Sequence, residues 1–229
     1  LPIRHILAYL SVILHRINSK IFSRIATKNK INTIFIGGLN KMKYLLSEIS
    51  KIHPGVYIKS SEFVDEGSHV YLNLRDFDED NQLNSELTRV DFEGKSQFIA
   101  DKNSILFSVR IKFKAYQLPQ SAGEQFVAST SFVILKPDEN RILKDYLIWF
   151  LNHSEELKKL NETQTKNTRM PYLNLKTIQN LVIDVPHIEK QKEIVQINKL
   201  LEKEKKLTHN ILELKEIYIQ NLLNNTAKL

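Results

Sequence analysis

Between Glu189 and about Asn221 the chain contains no glycine and no proline and is dominated by strong helix formers. At ~1.5 Å per residue this stretch predicts a helix roughly 50 Å long. In a heptad frame the a positions hold Ile197, Glu204, Ile211 and Tyr218, and the d positions hold Leu200, Leu207, Leu214 and Asn221. Leucines spaced by sevens with isoleucines between them form a seam for a partner helix. Glu204 interrupts that seam and, if buried, needs a hydrogen-bonding partner or a wet gap. A lone helix carrying such a stripe is marginal in water. Residues 187–229 are therefore expected to dock on another helix through Ile197, Leu200, Leu207, Ile211, Leu214 and Tyr218. The charges at Lys203, Lys205, Lys206, Glu213 and Glu216 read as an ordinary solvated face.

Upstream, residues 42–186 read as a mixed α/β (α+β) domain. Val70–Leu74 is short, apolar and β-prone, and ends in Arg75-Asp76. Across Ser104–Leu118 the apolar residues Ile105, Phe107, Val109, Ile111 and Phe113 alternate with Ser108, Arg110, Lys112 and Lys114. This predicts one half-buried strand with a row of bases on its wet side. Bases at that spacing suit contact with successive phosphates, although lysines on a solvated strand serve equally for solubility. Phe126–Leu135 reads as a further strand, stopped by Lys136-Pro137-Asp138 because proline removes a ladder donor. Its hydroxyl triplet, Ser129-Thr130-Ser131, has two uses: donors to phosphate or a base edge, or local backbone bonds.

Residues 142–160 keep a three-four apolar rhythm through Leu143, Tyr146, Leu147, Phe150, Leu151, Leu157 and Leu160, and predict one helix in which Trp149 packs against the core. Asn161–Arg169 has no apolar residue and reads as a polar loop displaying Lys166 and Arg169. A short helix or turn over 173–181 and a strand over 181–185, closed by Pro186, complete the domain.

The formal charge of +7 does not spread over the molecule. Residues 1–41 carry seven bases and no acid, and the remaining 26 bases balance 26 acids. Any nucleic-acid contact in 42–229 must come from a local patch. Residues 3–25 predict a basic amphipathic helix whose apolar run is too short to cross a bilayer. The 1–41 segment has two readings. One is a leader, lying on a membrane surface if it lies on one at all. The other is a gene start assigned too far upstream, with Gly37-Gly38 encoded by a ribosome-binding sequence ahead of Met42. The absence of cysteine excludes disulfides and thiolate chemistry and suits a cytoplasmic setting. The scattered glycines form no phosphate-cradling loop, and the seven histidines never pair at metal-ligand spacing. Asp76, Asp78 and Asp80 read as a turn and do not complete a calcium loop. No cofactor, metal or catalytic activity is expected.

Several short segments in order resemble the specificity subunit of type I restriction-modification systems. Tyr71-Leu72-Asn73-Leu74-Arg75-Asp76-Phe77 is similar to a family strand ending in a basic or small polar residue and an aspartate. Asp101–Ser108 is similar to its polar-Gly-Asp-Ile-Leu segment, with Asn103-Ser104 in place of Gly-Asp. Val127-Ala128-Ser129, Asp145-Tyr146-Leu147 and Leu173–Leu181 follow in order, and Val185-Pro186, Glu189, Gln191 and Ile194 resemble the Pro-x-x-x-x-Gln-x-x-Ile boundary into a family helix. The family's usual glycines near Arg110 are missing, and none lies in 161–170. The resemblance covers about residues 42–223 and one target-recognition repeat. It implies a DNA target-recognition domain, 42–186, ahead of a coiled-coil-forming helix, and a non-enzymatic reader of double-stranded DNA. Its implied partners are an adenine methyltransferase (M) subunit and a restriction/translocase (R) subunit. It leaves open a homodimer reading a symmetric site, pairing with another specificity chain, or a truncated gene. On that reading the DNA-contact candidates are Arg75, Arg110, Lys112, Lys114, Ser129, Thr130, Lys166 and Arg169. A helical adaptor that no longer selects DNA is the competing expectation.

Overall fold

The computed structural model describes residues 42–78, 82–119, 124–168 and 170–226, so the leader, Asp80 and Arg169 lie outside the described residues. The first described strand, β1 (Met42–Leu45), pairs antiparallel with the last, β11 (Val182–Val185), and a single helical turn, α1 (Leu46–Ile49), leads into β2 (Ser50–Pro54). Two larger sheets follow. One has four antiparallel strands in the order β2, β10 (Phe132–Pro137), β7 (Ile105–Ser108) and β8 (Ala115–Gln117). The other has five strands in the order β3 (Phe63–Val64), β5 (Thr88–Val90), β4 (His69–Leu72), β9 (Phe126–Ala128) and β6 (Ile99–Ala100), with β4 and β9 parallel.

Strand periodicity divides the core. In β7, Ile105 and Phe107 face a cluster built with α2 (Lys144–His153), while Leu106 points the other way with Ile134 and Phe132. That second cluster lies between the two large sheets, where Val70, Leu72, Phe126 and Ala128 meet it from β4 and β9. Tyr71 and Val127 alternate to the far face with Ile58 and Val90. The four-stranded sheet is therefore covered on both faces. Gly55 allows the sheets to close: a Cβ there would stand 2.0 Å from the Ser129 carbonyl oxygen, and its neighbour Val56 donates to the Ala128 carbonyl at 2.9 Å.

Four sequence expectations change. The stretch 104–118 is two strands joined by a tight loop, because residues of β7 are buried on both sides and the chain reverses after Val109. Phe126–Leu135 is also two strands, and Ser129–Ser131 carries the chain from one sheet to the other. The 142–160 helix is broken at Ser154, whose hydroxyl accepts from the Leu157 N–H as the cap of α3 (Glu155–Asn167). The expected polar loop from Asn161 is mostly the rest of that helix.

After α4 (Leu175–Gln179) and β11, the helix α5 runs from Ile188 to Thr226. Its 39 residues correspond to about 58 Å at 1.5 Å per residue. Gln191 on its first turn is fully buried. Its side chain accepts from the Leu143 N–H at 2.8 Å and donates to the carbonyls of Arg141 (3.1 Å) and Pro186 (2.8 Å). Ile194 and Val195 pack on the core and Lys199 pairs with Asp145, while almost every residue from Leu200 onward is exposed. Replacing Gln191 by Leu strands these partly buried backbone groups without partners. Gln191→Leu should lower unfolding stability by at least about 2 kcal/mol, measured by urea denaturation, whereas Lys192→Ala on the exposed side should leave it within about 0.5 kcal/mol.

Candidate nucleic-acid interface

Four backbone segments are laced together at the C-terminal ends of β4, β9 and β7. The Ser129 N–H donates to the Leu72 carbonyl at 2.9 Å, tying the strand crossover to the turn that carries Arg75. The Val109 N–H donates to Ser131 at 2.9 Å, and the Leu173 N–H donates to Val109 at the same distance. The Ile111 N–H donates to the Pro171 carbonyl at 3.2 Å. The Arg75 turn, the Ser129–Ser131 crossover, the 109–113 loop and the 170–173 segment thus form one continuous rim.

The 109–113 loop is the most constrained part. The Lys112 N–H donates to the Arg110 carbonyl at 2.7 Å, closing a three-residue ring, and Ile111 at its centre has φ of 64°. This is a γ-turn of the rare hand, imposed on a β-branched residue that tolerates positive φ poorly. Such a conformation costs about 1–3 kcal/mol and persists only where the surroundings over-determine it. They do so here. The Ser108 hydroxyl donates to the Arg110 carbonyl at 2.9 Å, and the Phe113 N–H donates to the Asn161 side chain at 3.1 Å. Phe113 and Val109 are buried at the loop's base, whereas Ile111 is 57% exposed.

Two asparagines support the same hairpin and were not legible as site residues. Asn152 of α2 accepts from the Ala115 N–H at 2.8 Å and donates to the Ala115 carbonyl at 2.9 Å. Asn161 of α3 makes the equivalent pair with Phe113. Their amides occupy the place of a neighbouring strand along the outer edge of β8, satisfying groups an edge leaves open.

The candidates are distributed unevenly. Arg110 and Lys112 lie in the γ-turn, with Arg110 stacked 5.1 Å over the half-exposed ring of Tyr172. Lys114 is half-buried at the start of β8, its ammonium 5.8 Å from the Tyr116 ring. These bases do not form the expected row on one strand face, because the loop turns between them. Thr130 is exposed at the crossover, whereas Ser129 is 3% exposed and its hydroxyl faces inward, accepting from the Ser131 N–H, so its side chain does not meet solvent. Arg75 is exposed, 3.8 Å from Asp76. Burial pushes the Asp76 carboxyl up, opposed by the Asn73 N–H and by Arg75. Arg75 also borders a depression shared with Asp76, Asn84, Ser85, Glu86 and Thr88, so its charged neighbours there are the acids Asp76 and Glu86. Lys166 is exposed on the last turn of α3, just before the 168–173 segment.

The helix candidates stand apart from this rim. Ile197, Leu200, Leu207, Ile211, Leu214 and Tyr218 are all between 46% and 65% exposed. Leu201, Leu212, Ile219 and Leu223 are exposed as well and widen the apolar face beyond a strict a/d seam. Among the described residues no helix is long and apolar enough to cross a membrane, and no cluster of three metal-ligating side chains occurs.

Comparison with known proteins gives consistent matches. A model of the type I restriction modification DNA specificity domain matches residues 39–216. The specificity subunit of the HindI type I restriction enzyme from Haemophilus influenzae is 25% identical over 132 residues, covering 56% of this chain and 28% of that protein. The HsdS subunit of Thermoanaerobacter tengcongensis superposes with a TM-score of 0.56 at 18% identity, covering 88% of this chain and 50% of that one. A chain from a type I R-M system structure concerned with complex assembly and conformational transition gives 0.57 at 16% identity, covering 88% and 51%. The chain thus spans about half the length of these solved relatives, and the likeness to them is one of fold.

Arg110 and Lys112 flank one turn, and an arginine suits a base edge where a lysine suits a phosphate, so if the turn meets DNA the two removals should be distinguishable. Arg110→Ala should reduce preference for a target duplex by roughly tenfold or more if it reads a base edge. Lys112→Ala should weaken all duplexes alike and lower the slope of log K against log salt by about one. Filter-binding titrations at several salt concentrations measure both.

Proposed function

The chain belongs to the type I restriction modification DNA specificity family, and from that premise we propose that it is a non-catalytic DNA reader which directs an adenine methyltransferase and its restriction complex to a target sequence. The observation that carries this reading is the rim itself. Strained and over-determined backbone holds Arg110 and Lys112 at the ends of strands, with Thr130 and Arg75 on segments bonded to the same network. Rigid presentation suits recognition, since an ordered loop loses little entropy when it binds.

Electrostatics supports a local mode of binding. Beyond residue 41 the formal charge sums to zero, so attraction to DNA comes from where the bases stand. Arginine over an aromatic ring is held for bidentate contact with guanine, while the lysines suit phosphate.

In this reading the apolar face of α5 is the assembly surface. It docks the M subunit and a second specificity helix, from another copy or another specificity chain, and the R subunit joins the assembled complex. A symmetric pair would place one recognition domain at each end and match an inverted repeat in DNA. The protein would then work in the cytoplasm, where the chromosome is accessible.

Co-expression with a type I adenine methyltransferase subunit from the same source, followed by mapping of methylated adenines, is the direct test. A complex that purifies together and methylates adenine in one defined sequence context is expected. A stable complex with no sequence preference would instead favour the helical adaptor. Leu207→Glu with Leu214→Glu should abolish co-purification while leaving the thermal unfolding of the domain unchanged, because both side chains are exposed in the free chain.

A further inference from the structure

Ile111 is an unusual residue to find where it stands. It occupies a left-handed γ-turn that asparagine or glycine would adopt with less strain. The core gains little in return, because more than half of the side chain faces solvent. Its backbone is fixed from behind by the Pro171 carbonyl, so the side chain is carried at the tip of a loop that cannot relax.

Its neighbours give the tip a chemical character. Arg110 precedes it and Lys112 follows it, and on either side of Pro171 stand Met170, 72% exposed, and Tyr172, 51% exposed. Single exposed apolar residues are ordinary on protein surfaces. Here an apolar tip is bracketed by two cations, the arrangement expected where cations meet phosphates and an apolar group passes between them toward the bases. The phosphate backbone offers no apolar surface of that kind. A thymine methyl in the major groove or the face of an unstacked base does.

We propose that Ile111 is a base-contacting specificity residue, which makes an apolar contact with the target DNA while Arg110 and Lys112 hold the flanking phosphates or base edges. The inference rests on the DNA-reading function proposed above. It explains why a strained isoleucine occupies the turn: the backbone is held so that an apolar group, rather than glycine, leads the loop into the groove.

The test uses the full chain in complex with its methyltransferase, a duplex bearing the mapped target, and a scrambled duplex. Ile111→Asn and Ile111→Gly both suit positive φ and remove the apolar tip. Each should bind the target about tenfold more weakly, bind scrambled DNA as the parent does, and keep the parent's salt slope. Their melting temperature should equal or exceed the parent's, which separates lost recognition from lost folding. If the parent discriminates between the duplexes and both variants match its target affinity, or lose target and scrambled binding alike, Ile111 has no role at the bases. If the parent complex itself does not discriminate, the DNA-reading function fails and this inference with it. Replacing target thymines by uracil distinguishes the two base surfaces. A methyl contact shows as one position that weakens the parent and leaves Ile111→Asn unaffected; contact with a base face shows no such position.

Discussion

Gln191 joins the long helix to the domain by satisfying partly buried backbone groups that would otherwise lack partners. Its amide bridges the approach to α2, at Leu143 and Arg141, to the carbonyl of Pro186, two residues before α5. A glutamine is suited to this because it carries both an acceptor and a two-proton donor at the end of a flexible stem. Just ahead of the helix, Tyr146 ties α2 to β11, donating to the Asp184 carbonyl at 2.7 Å; burial and the nearby Asp184 charge push its phenol up to about 12, so it stays a donor at any ordinary pH. The direction in which α5 leaves the domain is set within its first three turns. The rest of the helix inherits that direction without touching the core.

The central sheet imposes a second constraint. Because β7 and β10 are covered by helices on one face and by the second large sheet on the other, their side chains are apolar almost throughout. In these two strands the polar residues are confined to the ends, Ser108 of β7 and Lys136 of β10. That is why the bases sit in loops at strand ends and not on strand faces, and why the loops rather than the strands carry the candidate contacts.

This also accounts for what could be read from the sequence. The long helix, the strand after Leu181 and the stop at Pro137 announce themselves through local chemistry, missing breakers and a missing donor, and the short helix or turn expected over 173–181 is the helix Leu175–Gln179. The hairpin at 104–118 was not legible, because Ile111 and Phe113 keep the alternating pattern across a turn with no glycine in it. The α3 helix was hidden because its second half has no apolar residue to mark a period; Ser154 and the two glutamates after it were its local signal. Ser129 and Thr130 look alike in sequence, and only the sheet crossover separates the buried one from the exposed one. The roles of Asn152 and Asn161 depend on partners 37 and 48 residues away, a distance at which no local pattern operates.

The supports of the 109–113 loop are almost all main-chain groups or side chains outside it: Ser108, Ser131, Asn161, Pro171. The side chains at 110, 111 and 112 contribute little to its shape beyond the stacking of Arg110 on Tyr172. Scaffold and message are thereby written in different atoms. A lineage can exchange the three lettered positions while the frame that displays them stays intact, and new preferences can arise by small steps that never pass through an unfolded intermediate form.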